Sequence, residues 1–148
     1  MAGASSEDIR LTKTIDAGGE KIPPRELCKG IPAKNYDGKY NTKMQYSKKL
    51  EMHYMLGGGL IYNNCVLGDT TNIEIVCGSR VNGGKITVKY GGKMLCEAEV
   101  KPTVDITRFD TVTVKLDGEV LESIDRDKPA VFELWMPEQI YILSFRAY

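Results

Sequence analysis

Lys85–Tyr90, KITVKY, alternates at every position: Ile86, Val88 and Tyr90 on one parity, Lys85, Thr87 and Lys89 on the other. A strand turns successive side chains to opposite faces, so this run has one dry face and one wet face and does not fit a helix. Asn82-Gly83-Gly84 precedes it and Gly91-Gly92 follows it. The second glycine pair, with Met94-Leu95-Cys96 beyond, reads as a hairpin turn. Cys96, Ala98 and Val100 then alternate with Glu97, Glu99 and Lys101. Thr111–Leu116, TVTVKL, repeats the pattern with Val112, Val114 and Leu116 inward, and Asp117-Gly118 reads as the turn that closes it.

Upstream, Leu60–Leu67 and Asn72–Cys77 are strand-like and joined by Gly68-Asp69-Thr70. Downstream, Ala130–Met136 and Ile140–Phe145 flank Pro137-Glu138-Gln139, which reads as a loop between two strands. Short strands with turn residues between them, and no sustained helical stripe, indicate an antiparallel sandwich or barrel. The first third is less regular. Glu7–Ile15 reads as an edge strand, and residues 1–8 as disordered. Gly18-Gly19, Pro23-Pro24 and Pro32 interrupt any ladder, so residues 18–45 read as long surface connections of the kind that carry binding function.

Composition excludes more than it identifies. The 148 residues suit one domain, 1–148, with a core of its own. Twenty basic and twenty acidic side chains cancel, so no whole-molecule field favours nucleic acid or an acidic membrane. No apolar run is long enough for a membrane helix. A single His excludes the two-His zinc motifs. Residues 1–8, MAGASSED, lack the basic start and apolar centre of a secretory signal. The chain is then either intracellular or an excised mature module with a new Met, and the sequence leaves both readings open. Cys28, Cys65, Cys77 and Cys96 have no C-x-x-C spacing, and three of them sit within or beside strand-like runs. They read as free thiols acting as small hydrophobes.

Catalytic patterns are missing. Gly78-Ser79-Arg80 does not complete a nucleophile elbow. Gly57-Gly58-Gly59 leads into a strand, where a phosphate loop would lead into a helix. No carboxylate pair stands in a recognisable hydrolytic context. Lys39–Lys49 mixes four Lys with Tyr40 and Tyr46, a mixture that suits nucleic acid or an acidic glycan, although zero net charge favours a solvated face.

From Leu56 to Val100 the order of pieces resembles the central part of family 6 carbohydrate-binding modules, and more distantly their family 35 relatives. The pieces are Leu60-Ile61-Tyr62, Cys65-Val66-Leu67-Gly68, Ile73–Gly78 and Gly83-Gly84-Lys85-Ile86-Thr87-Val88. Phe132–Phe145 looks like the family's last two strands. The resemblance implies an all-β, antiparallel jelly-roll β-sandwich that binds polysaccharide or oligosaccharide without catalysis, often with a structural calcium. It also implies a loop cleft in which a Tyr and a Trp clamp one sugar ring and a polar residue bonds its hydroxyls. Tyr54 matches the Tyr, Phe109 stands where the Trp is usual, and Glu138 and Gln139 occupy the polar loop. His53 and Asn63 are weaker candidates for the same site. The acidic pair expected on the first strand is replaced by Thr12-Lys13-Thr14, and Tyr141-Ile142-Leu143 is non-acidic where a carboxylate is expected. No metal ligand set is therefore assigned, and no cofactor is expected. The contrasting reading is a protein–protein interaction or structural module on the same sandwich, working with other domains or as an oligomer.

Overall fold

A computed structural model of the protein describes residues 23–80, 82–103 and 108–148. The edge strand expected over Glu7–Ile15 and the disordered start expected over 1–8 lie outside the described residues.

Among the described residues ten strands follow in chain order: β1 (Arg25–Glu26), β2 (Ile31–Pro32), β3 (Gly38–Tyr40), β4 (Lys43–Ser47), β5 (Met52–Val66), β6 (Asn72–Ser79), β7 (Gly84–Tyr90), β8 (Lys93–Val100), β9 (Asp110–Lys115) and β10 (Ala130–Ala147). One short helix, α1 (Gly118–Ser123), joins β9 to β10. β10 organises the rest. One of its edges bonds β5 from Ala130↔Cys65 to Ile142↔Met55. Its other edge bonds β7 through Phe132–Trp135 and then β6 through Ile140–Ala147. β8 extends β7, β9 extends β6, and β3 and β4 extend β5. The two long strands thus pass from one layer of a sandwich into the other, and all ten strands share one hydrogen-bonded ladder.

A bulge makes the passage. Met136 pairs with Gly58 and Tyr141 with Leu56, so four residues of β10 span what Gly57 spans on β5. Extra residues on one strand bend it and sharpen its twist. Pro137, which has no N–H to donate, sits where the ladder is already broken. Pro137-Glu138-Gln139 is therefore a bulge inside one 18-residue strand, where the sequence pattern suggests a loop between two. Gly57-Gly58-Gly59 likewise lies inside β5 and makes no turn. Gly58 has φ +77°, and a Cβ there would stand 2.0 Å from the Tyr40 carbonyl oxygen. Gly59 supports the Trp135 ring, which a Cβ would meet at 2.4 Å.

Between the layers lie Phe132, Leu134 and Met136 of β10, Ile86 and Val88 of β7, and Ile73, Ile75 and Cys77 of β6. Ile86 and Val88 are among the inward residues read from the alternation. Tyr62 meets Phe145 edge to face, with ring centroids 4.8 Å apart, and Phe145 stacks on Phe132 at 5.0 Å. The Tyr62 hydroxyl donates to the Ala33 carbonyl at 2.7 Å, which satisfies it in the core. Leu27, Ile31 and Ala33 are also core residues. Residues 23–45 are accordingly built from four short strands and two 3-10 turns, and are not simply surface connection. These strands take their stability from bonds to β5 and β10, not from an alternating pattern of their own, so the sequence does not announce them. Asp117 caps α1 by accepting from the Glu119 N–H at 2.9 Å, so Asp117-Gly118 opens a helix and not a hairpin.

No disulfide joins the four cysteines; Cys65 and Cys77 are buried, Cys96 is half-buried and Cys28 is exposed. Burial pushes the thiols of Cys65 and Cys77 up to about 12 and that of Cys96 up to about 11.

Candidate functional site

On the outer face of the second layer, β5 and β10 carry a small apolar cluster separate from the main core: Tyr54, Leu56, Tyr141 and Leu143, with Val76 and Phe109 packed against it. Tyr141 points away from Ile140 and Ile142, and on this face it would normally meet solvent. Arg108 and Phe109, immediately before β9, cover it. Tyr141's hydroxyl donates to the Arg108 carbonyl at 2.8 Å and lies 2.8 Å from Thr103 Oγ1. Thr103 is latched to Ser79 in turn, its N–H donating to the Ser79 carbonyl at 3.1 Å. These bonds hold Phe109 over the cluster.

Tyr54 and Phe109, read as the two plates of a clamp, are brought together by the fold. Their rings touch edge to face, with centroids 5.5 Å apart and planes 74° apart. Phe109 also meets Tyr141 at 5.1 Å and 85°. Parallel plates with a sugar between them would need a gap that is closed in this conformation. Tyr54 is only 5% exposed, and its hydroxyl donates to Gln45 Oε1 at 2.8 Å.

Beside the cluster, and joined to it through Leu56, is a cleft of about 330 Å³. It opens where β5 and β10 cross between layers. Asn41 reaches it from the β3–β4 turn, Lys43 from the start of β4, Leu56 and Gly57 from β5, Arg80 from just past β6, and Glu138 and Gln139 from the β10 bulge. Arg80 is held at two points. Its N–H donates to the Gln139 carbonyl at 3.0 Å, and its Nη2 donates to Gln45 Oε1 at 3.3 Å. Gln139 Nε2 donates to the Gly83 carbonyl at 3.2 Å. Five hydrogen-bonding side chains converge on an apolar patch, the usual composition of a small polar-ligand site.

Of the six residues picked from the sequence, Glu138 and Gln139 line this cleft and Tyr54 and Phe109 lie in the cluster beside it. The other two do not join them. His53 packs its ring on Tyr46 at 4.9 Å, in the β4–β5 hairpin. Asn63 sits nine residues along β5 from Tyr54, about 30 Å at a strand's rise. Its N–H donates to Asp37 Oδ2 at 2.6 Å, in a buried group where Arg25 also grips Asp37. Asn41, Lys43 and Gln45 fall within the Lys39–Lys49 stretch, whose basic and aromatic mixture suits an acidic glycan but is favoured as a solvated face. Sequence reasoning missed Arg80 and Tyr141, and of the two Tyr141 carried a signal, its parity opposite to Ile140 and Ile142. Only the crossing of β5 and β10 gathers these residues.

No family model and no curated protein matches the sequence. Solved structures do match. A family 6 carbohydrate-binding module from Clostridium cellulolyticum in complex with xylose superposes at TM-score 0.72, with 14% identity over 84% of this chain and 99% of that one. CsCBM6-3 from Clostridium stercorarium, in complex with cellobiose, gives 0.71 with 18% identity over 84% and 95%. A β-1,3-glucan-binding CBM6 from Bacillus halodurans gives 0.70 with 18% identity over 84% and 98%. The chain has the fold of a family 6 carbohydrate-binding module. The jelly-roll sandwich implied by the sequence resemblance is thereby the observed architecture.

The family 6 resemblance also raised a structural calcium. Near the last strand the residues do not fit one: Tyr141 and Ile142 are fully buried and supply no carboxylate. Thr12-Lys13-Thr14 lie outside the described residues. Among the described residues, no three His, Cys, Asp or Glu gather as a metal site.

Proposed function

We propose that this protein is a non-catalytic carbohydrate-binding module that holds a polysaccharide or oligosaccharide at the β5–β10 cleft. The observation that carries this reading is the convergence of Asn41, Lys43, Arg80, Glu138 and Gln139 on an open cleft whose apolar side continues into the Tyr54–Phe109–Tyr141 cluster. A sugar ring offers apolar C–H faces and a rim of hydroxyls, and this site offers both kinds of partner. The solved structures of this fold include modules in complex with cellobiose and with xylose, which supports the same class of ligand here. In this reading Glu138 accepts hydroxyl protons and Gln139 bonds hydroxyls through its free amide oxygen. Leu56 supplies the apolar contact beside the cluster, and the Tyr54 and Phe109 rings back it. Nothing in the cleft sets two carboxylates across a bond, since Glu138 is the one carboxylate lining it. Few contacts and an open cleft imply dissociation constants at the micromolar-to-millimolar end.

The test is calorimetry against soluble xylan, β-1,3-glucan, mixed-linkage glucan, cello-oligosaccharides, galactans and pectins. Glu138→Ala and Gln139→Ala run beside the wild type, because both change the cleft without touching the core. Binding of at least one glycan, weakened severalfold or more by each substitution, is the expected result. Binding unchanged by both would move the site elsewhere on the sandwich. Absence of binding across the panel would refute the reading and leave an interaction module.

A further inference from the structure

Resting on that reading, we infer that the cleft selects acidic polysaccharide, a glycan bearing uronate carboxylates, and that Arg80 and Lys43 seat the carboxylate. The described ion pairs engage Arg25, Lys29, Arg108 and Arg146. Arg80 and Lys43 enter none of them, yet both line the cleft. Arg80 spends one side-chain bond on Gln45 Oε1, a neutral acceptor, and its backbone is fixed by the Gln139 carbonyl. The guanidinium is thereby positioned, and among the described residues its remaining N–H donors have no partner. A planar fork of donors matches a carboxylate in bidentate geometry, a match that a hydroxyl cannot make.

The local charge favours the same ligand. Two cations and one carboxylate, Glu138, leave the cleft with one net positive charge. The whole chain carries none, so this preference belongs to the site and not to a general field. Lys43 also gives a role to the Lys39–Lys49 stretch, whose basic and aromatic mixture the sugar-hydroxyl reading left unused. Within it, Lys39 Nζ donates to the Thr42 carbonyl at 3.2 Å and braces the turn that presents Lys43. Glu138 remains the acceptor for hydroxyls of the same or a neighbouring sugar.

The experiment titrates the intact protein with oligosaccharides of galacturonate, mannuronate and glucuronoxylan, each beside its carboxyl-reduced form, at low and at physiological salt. At least one acidic oligosaccharide is expected to bind about tenfold tighter than its reduced form, with the gap narrowing as salt rises. Arg80→Gln and Lys43→Gln should each weaken the acidic form more than the reduced form and so remove most of that gap. A Lys48→Gln/Lys49→Gln double variant, which removes two charges outside the cleft, should keep it. Equal affinity for acidic and reduced forms overturns the inference and leaves the carbohydrate-binding reading standing. Equal loss on both forms in Arg80→Gln, or loss of the gap in the double variant, also overturns it. Failure of every oligosaccharide, acidic or neutral, overturns both.

Discussion

Replacing Phe109 with Ala separates two roles that the sequence alone leaves indistinguishable. If Phe109 were a free plate waiting for sugar, truncating it would abolish binding at little cost to the fold, within about 0.5 kcal/mol for an exposed side chain. The structure predicts otherwise. Phe109 makes two edge-to-face contacts, with Tyr54 at 5.5 Å and Tyr141 at 5.1 Å. Each such pair contributes about 0.5–1.5 kcal/mol beyond area burial. A fully buried Phe costs about 3–5 kcal/mol on truncation to Ala. Phe109 is half-buried, so we expect a loss of about 2 kcal/mol. For a chain this long that is a fall in Tm of about 4–8 °C. Urea unfolding followed by the single Trp should show a lower midpoint with an unchanged slope. Tyr141→Phe is the companion: it removes the hydroxyl that holds Arg108 and Thr103 and should cost about 1–2 kcal/mol while keeping the ring contacts. A Phe109→Ala midpoint equal to the wild type's would refute the packing argument and restore the open-clamp reading.

Other outcomes follow from the same geometry. Gly59→Ala should displace Trp135 from its seat, shift its fluorescence to longer wavelength and cost about 1–3 kcal/mol, since the new methyl would overlap the ring. Asp37→Ala should cost about 3 kcal/mol by urea unfolding, because the carboxylate is 3% exposed and its loss strands Arg25 and the Asn63 N–H. The contribution of the buried thiols to stability should be flat up to about pH 8 and fall above it. The folded thiols of Cys65 and Cys77 are raised to about 12 from 9.0, so the unfolded chain releases their protons first. Between those values each thiol should lower stability by about 1.4 kcal/mol per pH unit, and Cys77→Ala should halve the slope that the pair contributes. Native-state thiol labelling should modify Cys28 first, with Cys65 and Cys77 reacting only on unfolding.

The strands with clean alternation were legible in the sequence, and so was what they imply. Ile86, Val88, Phe132 and Leu134 fall inward because a side-chain period of two leaves no other way to bury them. The order of glycine turns and strands from Leu56 to Val100 carried the family 6 resemblance. Zero net charge, the single His and the spacing of the cysteines bounded the chemistry without naming a ligand. Tertiary structure decided the rest. β1 to β4 exist because β5 and β10 offer edges to them, and no local pattern announces strands of two to five residues. Whether Pro137-Glu138-Gln139 is a loop or a bulge depends on which strand lies opposite, and Gly57 is a partner more than seventy positions away. The cleft is a product of that crossing: Lys43, Arg80 and Glu138 are strangers in sequence, and they meet because two bent strands carry the sheet from one layer into the next. The contact between Tyr54 and Phe109 has the same origin, since ring separation depends on where the Tyr141 hydroxyl holds the Arg108 carbonyl, and that is a matter of packing that no residue spacing encodes.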